Sequence, residues 1–184
     1  MRRLYQASTL LDFLHSVGVR PKKGLSQNFL VDGNVVSKIV DAAGVCEGDL
    51  ILEIGRGPGV LTEEILLRGA SVLAIEKDRV LGPALQRLCE DTDRLTVITG
   101  DALEQDFAAL LKQKLKPGQR AKVVANLPYQ ITTPLLVALA PLTDSVSDIV
   151  VMVQDEFARR ATASPGSREI GSLTIFLEYY SDCR

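Results

Sequence analysis

Glycines alternate with other residues in a short segment that follows an apolar run. Residues 53–59 read EIGRGPG and lead into a helical pattern. Glycine at alternate positions lets the backbone approach a ligand closely and turn into a helix, whose first amides bind a carboxylate or phosphate. The same turn would also form for geometry alone. The dinucleotide fingerprint G-x-G-x-x-G would need glycine where Val60 stands, so a dinucleotide is the weaker interpretation.

Two acidic residues follow the next two apolar runs. Glu76 stands 21 residues after Gly55, a spacing typical of an acid that accepts hydrogen bonds from both hydroxyls of a ribose. Asp101 could accept a bond from the exocyclic amine of an adenine, while the Ala102 amide meets a ring nitrogen. Glu76 could instead cap the helix that follows it. Three such groups after successive strands favour a nucleoside ligand, because ligands of open α/β sheets bind at that edge.

The fourth apolar run ends in the sequence NLPY at residues 126–129, which predicts chemistry on an amine. An adenine amine is a weak nucleophile because its lone pair is delocalised into the ring. The Asn126 side-chain oxygen and the Leu127 carbonyl could accept hydrogen bonds from its two N–H groups and free that lone pair. Pro128 would stiffen the turn and Tyr129 would stack on the base. As a plain turn, the four residues would also make sense.

The elements that must position these groups alternate between two apolar patterns. Short β-branched runs predict strands at Leu50–Ile54, Ser71–Ile75, Leu95–Thr99, Lys122–Ala125, Ile149–Val153 and Ser172–Leu177. Helical periodicity predicts helices at Ser8–Ser16, Asn34–Ala43, Val60–Arg68, Arg79–Glu90, Leu103–Leu115, Thr133–Ala140 and Glu156–Ala163. Strands that alternate with helices predict an α/β fold with a mainly parallel sheet and helices on both faces.

Composition and charge indicate a globular chain of about one domain. Its 184 residues are 46% hydrophobic and 24% charged, which excludes wholesale disorder and a coiled coil. Twenty-one basic against 23 acidic residues give a net charge of −2, which argues against a strongly basic binding module but allows a local basic rim. Three widely spaced cysteines and one histidine predict no metal site and a reducing, cytoplasmic compartment. We expect no membrane span and no signal peptide.

Four motifs, in order, resemble those of the KsgA/RsmA ribosomal RNA adenine dimethyltransferases, which use S-adenosylmethionine and include the Erm resistance enzymes. LSQNFL at residues 25–30, EIGRGPGVLT at 53–62, NLPYQITTP at 126–134 and QDEFARR at 154–160 are similar to the family's LGQNFL, EIGPGxGxLT, NLPYNISTP and QKEVAxR. The resemblance runs from about Lys22 to the C-terminus and implies a Rossmann-like methyltransferase fold. Ser26, Arg56 and Asp155 depart from the family pattern, which has Gly, Pro and Lys at these positions.

The resemblance implies roles for individual residues. Asn28 and Leu30 would close over the cofactor S-adenosylmethionine, and Gly55 would lie against its methionine part. The full predicted cofactor-binding set is Gln27, Asn28, Leu30, Gly55, Gly57, Glu76, Lys77, Asp101, Ala102 and Asn126. The predicted catalytic set is Asn126, Leu127, Pro128 and Tyr129. Catalysis would need no metal, because the sulfonium is already an activated electrophile and the protein has only to position the amine.

The implied reaction is dimethylation of two adjacent adenines near the 3′ end of small-subunit (16S) ribosomal RNA, during ribosome biogenesis. NLPY followed by TP is more similar to the ribosome-maturation branch than to the Erm branch. An Erm-type methyltransferase of 23S RNA is one alternative function. Another is a binding factor that monitors ribosome assembly and in which methylation is a secondary activity. A nicotinamide dehydrogenase is a more distant alternative.

Two basic groups are candidates for contact with RNA phosphates. Arg20, Lys22 and Lys23 precede the cofactor-closing motif, and Arg159 and Arg160, with Arg168, form the second group. Solvated surface is an equally good interpretation of each group alone. The expected partner is single-stranded or looped RNA with a splayed base, within the precursor of the small ribosomal subunit. We expect a monomer.

The resemblance also predicts how the chain is organised. Residues 1–45 would form an N-terminal helical segment that carries the cofactor-closing motif, and residues 46–184 the methyltransferase domain. Family members continue with a final antiparallel strand and a small helical domain that helps to hold RNA. We therefore expect the sequence to end before both of these elements. Its net charge would then describe only the catalytic part of the protein.

Overall fold

The computed structural model describes residues 3–16, 18, 30–55, 57–81, 92–127 and 129–184. Its centre is a five-stranded sheet in the order β3-β2-β1-β4-β5, and every pair of neighbours is parallel. The strands are β1 (Leu50–Ile54), β2 (Ser71–Glu76), β3 (Leu95–Thr99), β4 (Ala121–Asn126) and β5 (Val146–Met152). Because the strands are parallel, all their carboxyl ends meet at one edge of the sheet.

Seven α-helices connect or flank these strands in the described ranges. They are α1 (Ala7–Ser16), α2 (Gly33–Ala42), α3 (Val60–Leu67), α4 (Phe107–Lys114), α5 (Tyr129–Leu139), α6 (Asp155–Ala161) and α7 (Ser172–Tyr180). Short 3₁₀ turns at Arg79–Leu81 and Ala102–Glu104 follow β2 and β3. None of the described helices is long and apolar enough to cross a lipid bilayer.

The predicted α/β fold with a parallel sheet is confirmed, and most predicted elements form with small shifts of their ends. The helix predicted from Leu103 begins at Phe107, because the Asp106 carboxylate accepts a bond from Ala109 N and caps α4 there. The helix predicted over Arg79–Glu90 opens as the 3₁₀ turn, and residues 82–90 lie outside the described residues.

Helices cover both faces of the sheet, as predicted. Successive strand residues point to opposite faces, so Ile51 packs in one core with α1, α2 and α3, and its neighbours Leu50 and Leu52 pack in a second core with α4 and α5. All five residues of β1 are buried. A strand that is buried on both faces reads as a nearly continuous hydrophobic run, here interrupted by the buried Glu53, which is the pattern of a central parallel strand.

The N-terminal residues belong to the first of these cores. Leu4, Leu10 and Leu14 are each at most 2% exposed. The backbone amide of Leu4 donates to Glu63 Oε2 at 3.0 Å, which joins this segment to α3. The helical segment therefore packs directly on the sheet and α3, and the predicted division of the chain at residue 45 stays a prediction.

The strand predicted at Ser172–Leu177 is wrong, because these residues form the first two turns of α7. Apolar residues spaced i, i+3, i+4 and i+7 share one helix face, and that face packs against Leu136, Ala140 and Ala161 with the side chains of Leu173, Phe176, Leu177 and Tyr180. Ile175 points away and is 62% exposed. In a strand, Ile175 and Leu177 would lie on the same face, whereas in the helix they lie on nearly opposite faces, in agreement with the burial of one and the exposure of the other.

A side-chain bond at the start of α7 also favours the helix. Thr174 is 1% exposed; its hydroxyl accepts from Gly171 N at 3.1 Å and donates to the carbonyl of Arg160 at 2.6 Å. These bonds satisfy a terminal amide of α7 and tie the helix to α6.

Strand β5 lies at one side of the sheet and pairs only with β4 among the described strands. Ser147 and Asp148 in its first half are exposed, whereas residues 149–152 (IVVM) are partly buried. One side of β5 is therefore an edge with an apolar second half.

Candidate active site

The strand register brings the predicted site residues side by side. Ile54 at the end of β1 pairs with Ile75 of β2 and with Ala125 of β4. Gly55 therefore comes next to Glu76 on one side and to Asn126 on the other. Neighbouring strands lie about 4.8 Å apart, so the Glu76 and Asn126 backbones are roughly 10 Å apart across this row.

The glycine loop after β1 has the backbone shape that its composition predicts. Gly55, Gly57 and Gly59 have φ of 67°, 54° and 88°, in the left-handed region that L side chains rarely adopt. Gly59 is the N-cap of α3 and has no side chain to bond the first amides of the helix. The chain thus turns sharply at the edge of the sheet and points the N-terminus of α3 toward it, which is an arrangement that binds a carboxylate.

Glu76 holds this loop to the end of β2. Its Oε2 accepts from Gly57 N at 2.9 Å and its Oε1 from Asp78 N at 2.8 Å, and the residue is 9% exposed. Each carboxylate oxygen has a second lone pair, so the side chain can still accept the hydroxyls of a ribose. The bond to Asp78 is the local type that the capping alternative requires, so the ribose role stays a prediction.

Asp101 and Lys77 form an ion pair between the ends of β2 and β3. Lys77 Nζ lies 2.7 Å from Asp101 Oδ2, and Leu103 N donates to Asp101 Oδ1 at 3.0 Å. The Lys77 ammonium, and to a lesser extent the Leu103 amide, hold the pKa of Asp101 below its ordinary value. The same pair raises the pKa of Lys77. Asp101 therefore stays ionised as a hydrogen-bond acceptor beside the buried Ala102.

The predicted catalytic segment lies on the other side of the glycine loop. Asn126 ends β4 opposite Met152 and is partly buried, and Leu127 is 3% exposed. Leu127 N donates to Met152 O at 3.4 Å, which extends the β4–β5 pairing by one residue. Helix α5 begins at Tyr129. The structure thus brings Asn126 and Leu127 to the same edge as the glycine loop, Glu76 and Asp101.

Other predicted residues are farther from this row or are not described. Leu30 is partly buried and packs against the core that contains α1, α2 and α3. Six predicted site residues lie outside the described residues, namely Arg20, Lys22, Lys23, Gln27, Asn28 and Pro128, together with Arg56. The side chain of Tyr129 is also outside the described part of the structure.

A buried pair below the glycine loop was not predicted as functional. Thr62 Oγ1 donates to Glu53 Oε2 at 2.6 Å, and both residues are 0% exposed. The bond spans the loop from β1 to α3 and fixes its two ends relative to each other. Both residues belong to the motif EIGRGPGVLT, so the match to this motif is the sequence signal from which the pair could have been predicted.

The second predicted RNA-binding group lies beyond β5. Arg159 and Arg160 of α6 line an open groove of about 370 Å³ together with Arg168 from the loop before α7. Arg159 Nη2 pairs with Asp155 Oδ2 at 2.9 Å. The structure therefore places the three arginines around one groove, beside the Asn126 end of the row.

The residues of the row fit a nucleoside that carries a charged tail. Glycines with a left-handed backbone conformation leave room for a ligand against the backbone. Glu76 and Asp101 supply carboxylate acceptors, and the start of α3 supplies amide donors. This all-parallel order with a glycine loop after the central strand defines the Rossmann-like class of nucleotide-binding folds, to which the S-adenosylmethionine-dependent methyltransferases belong.

Comparison with known proteins narrows the class to one family. The sequence model of the family described as "Ribosomal RNA adenine dimethylase" matches residues 18–184. Ribosomal RNA small subunit methyltransferase A of Protochlamydia amoebophila (strain UWE25) is 47% identical over 181 residues, which are 98% of this chain and 64% of the relative. The protein of the same name from Moorella thermoacetica is 42% identical over 94% of this chain and 61% of its own length. The chain belongs to the ribosomal RNA adenine dimethylase family.

Solved structures agree with this assignment. A dimethyladenosine transferase from Plasmodium falciparum has a TM-score of 0.67 and 30% identity over 80% of this chain and 50% of that one. The 23S rRNA methyltransferase ErmE has a TM-score of 0.61 and 26% identity over 76% of this chain and 53% of its own. Like the curated relatives, these proteins are longer: the chain spans about three fifths of the relatives and half of these structures.

Proposed function

We propose that the protein uses S-adenosylmethionine to dimethylate the exocyclic amines of two adjacent adenines near the 3′ end of small-subunit ribosomal RNA. The observation that carries the proposal is the row at the carboxyl edge, in which Gly55 separates Glu76 from Asn126 by one strand on each side. A cofactor held on the Glu76 side would face an amine held on the Asn126 side.

The cofactor half of the row consists of β1, β2 and β3. The start of α3 and the glycine loop would bind the methionine carboxylate, Glu76 would accept the ribose hydroxyls, and Asp101 the adenine amine. Lys77 and Ala102 would border the adenine, and Leu30, with Gln27 and Asn28, would close over the cofactor. When bound, S-adenosylmethionine supplies a methyl group on a sulfonium, which is an activated electrophile.

The acceptor half consists of the residues after β4. The Asn126 side-chain oxygen and the Leu127 carbonyl would accept hydrogen bonds from the two N–H groups of the adenine amine and keep its lone pair directed at the methyl group. As the amine gains positive charge, the same two oxygens stabilise it. Pro128 would fix the turn, and Tyr129 would stack on the extruded base. The residues thus act by position and electrostatics, and the proton that the methylated amine loses passes to water, so no general base is needed.

The small-subunit branch is favoured over the Erm branch by two observations. The residues after Asn126 read NLPYQITTP, and the relatives at 47% and 42% identity are named small subunit methyltransferase A. ErmE is 26% identical over a smaller share of the chain. Within the same proposal, the partner is the precursor of the small ribosomal subunit, and the protein acts as a monomer in the cytoplasm.

Methyl transfer to immature small subunits tests the proposal. With labelled S-adenosylmethionine, we expect label in dimethyladenosine of the small-subunit RNA. Asn126→Ala should lose this label while it still binds the cofactor, and Asn34→Ala, at an exposed position on α2, should keep it. No label with a cofactor-competent protein would contradict the proposal. Label in large-subunit RNA instead would establish the Erm-type alternative.

The same variant tests the assembly-factor alternative. If methylation is secondary, Asn126→Ala will bind immature subunits and support their maturation as well as the unaltered protein does. Binding without maturation would instead favour the methyltransferase. Subunit profiles on sucrose gradients distinguish the two outcomes.

A further inference from the structure

The turn that follows β3 is held by the side chain of Gln105, to which the sequence motifs assign no role. The Asp101 carbonyl accepts from Gln105 Nε2 at 3.0 Å and from Glu104 N at 3.2 Å. Gln105 is partly buried, and its own backbone amide donates to the Ala102 carbonyl at 3.3 Å. The Gln105 side chain therefore folds back over the 3₁₀ turn and binds the backbone at the start of that turn.

Gly100 leaves the space that this side chain occupies. Gly100 N donates to Glu76 O at 2.9 Å, which continues the β2–β3 pairing up to the turn. A Cβ built on Gly100 would lie 3.2 Å from Gln105 Nε2, and apart from its chain neighbours no other atom of the described residues lies within 4 Å of it. A larger residue at position 100 would therefore push the Gln105 amide away from the Asp101 carbonyl.

The bond to the Asp101 carbonyl sets the direction of the next backbone amide. A trans peptide unit is planar, and its N–H points away from its carbonyl. Because the Asp101 carbonyl is held inside the turn, the Ala102 N–H is directed out of the turn. Ala102 is 6% exposed, and its N–H has no acceptor among the residues that the structure describes. An unpaired amide on a buried residue costs free energy, so this N–H indicates a ligand acceptor.

The turn thus presents an acceptor and a donor next to each other. The Asp101 carboxylate, paired with Lys77 at 2.7 Å, accepts hydrogen bonds, and the Ala102 N–H donates one. Adenine offers the complementary pair, since its exocyclic amine donates and its ring nitrogen N1 accepts. Hypoxanthine has an oxo group in place of the amine and a hydrogen on N1, so it offers the reverse pair. The turn distinguishes the two bases only while the Ala102 N–H keeps its direction.

We propose that Gln105 is a positioning residue for recognition of the adenine of the cofactor. It acts through the peptide unit between Asp101 and Ala102 and has no part in the transfer of the methyl group. By holding that unit, Gln105 directs the Ala102 N–H at N1 of the adenine and so selects an amino over an oxo purine. The inference rests on the proposed function only in that the ligand at this edge is S-adenosylmethionine.

Isothermal titration calorimetry with two forms of S-adenosylhomocysteine, the product of the cofactor, tests this role. One is the natural form, and the other carries 1-deazaadenine, in which a C–H group replaces N1. The unaltered protein should bind the 1-deaza form more weakly. Gln105→Ala should weaken binding of the natural form by about three- to tenfold, the range expected for one neutral hydrogen bond. It should leave binding of the 1-deaza form unchanged, because that base has no N1 to accept from Ala102.

Gln119→Ala is the matched control. Gln119 Nε2 also donates to a backbone carbonyl, that of Gly48 at 3.0 Å, but Gln119 lies before β4 at the opposite edge of the sheet. This variant should bind both forms as the unaltered protein does.

Gly100→Ala gives an independent test of the same bond. Its added methyl group should displace the Gln105 amide, so the variant should weaken binding of the natural form by a similar factor. In the Gln105→Ala background the methyl group meets open space and should cause no further loss. The two substitutions should therefore be non-additive.

Equal weakening of both forms by Gln105→Ala would overturn the proposal, because a residue that only supports the loop would affect the two forms alike. Unchanged binding of the natural form in Gln105→Ala, or additive losses in the double variant, would overturn it too. In each of these cases the unaltered protein still binds the natural form, so the methyltransferase proposal stands. Failure of the unaltered protein to bind it would instead contradict the proposed function, and the role of Gln105 with it.

Discussion

Lys77 Nζ lies 2.7 Å from Asp101 Oδ2 and joins the ends of two neighbouring strands, β2 and β3. The pair spans 24 positions of sequence. It sits where the adenine of the cofactor is proposed to bind, so the adenine amine and the lysine ammonium would share one carboxylate.

Lys77→Gln should therefore raise the pKa of Asp101 toward its ordinary value of 3.8. The ammonium favours the ionised carboxylate, and the Leu103 amide alone favours it less. In the unaltered protein, the stabilising effect of the ionised carboxylate is complete above pH 3.8 and is lost as the pH falls through the lower folded-state pKa. Carboxyl-carbon NMR titration measures the change. Lys112→Gln on α4 is the control, and an unmoved Asp101 midpoint in Lys77→Gln would refute the pair.

Glu76→Gln should weaken binding of S-adenosylmethionine by about 10–100-fold, the range expected when a charge-assisted hydrogen bond is lost. The amide nitrogen of glutamine would face either the Gly57 or the Asp78 backbone donor, so the variant also loosens the glycine loop. Isothermal titration calorimetry measures the affinity. Glu104→Gln, exposed at the same edge, should bind as the unaltered protein does. Equal affinity of the two variants would contradict the role of Glu76.

Leu14→Ala should lower the free energy of unfolding by about 2–5 kcal/mol, because Leu14 is fully buried in the core and the substitution leaves a cavity. Leu11→Ala on the same helix removes a side chain that is 47% exposed and should cost less than about 1 kcal/mol. Urea denaturation of the two variants gives the difference. Equal losses would mean that α1 does not pack on the sheet as described.

Leu177→Ala should destabilise the protein by about 2–4 kcal/mol, whereas Ile175→Ala should have little effect. Leu177 is 5% exposed and Ile175 is 62% exposed, as expected for residues two positions apart in a helix, which lie on nearly opposite faces. Thermal unfolding followed by circular dichroism compares them. Similar losses in the two variants would favour the strand that the sequence pattern predicted.

The glycine loop and the acids after β2 and β3 could be predicted from sequence because their signal is local. Glycines at positions 55, 57 and 59 require a particular backbone, and Glu76 follows at a spacing set by one strand-helix-strand unit. The parallel sheet could be predicted for the same reason, since alternating apolar patterns leave few other arrangements.

The rest of the site depends on contacts that no local pattern encodes. Lys77 and Asp101 meet because β2 and β3 pair in one register, and Arg168 lines the same groove as Arg160 because the loop before α7 folds back on α6. The sequence of α7 predicts a strand because a short apolar run fits both periods. The packing of Leu177 against Ala161 and Leu136 decides between them.

One side of β5 pairs with no other described strand, and this open edge affects how the protein behaves at high concentration. Unpaired backbone amides and carbonyls beside the apolar residues 149–152 offer a template on which a second copy can add its own strand. Ser147 and Asp148 are exposed and guard only the first half of the strand. We therefore expect copies of the isolated chain to pair at this edge as their concentration rises.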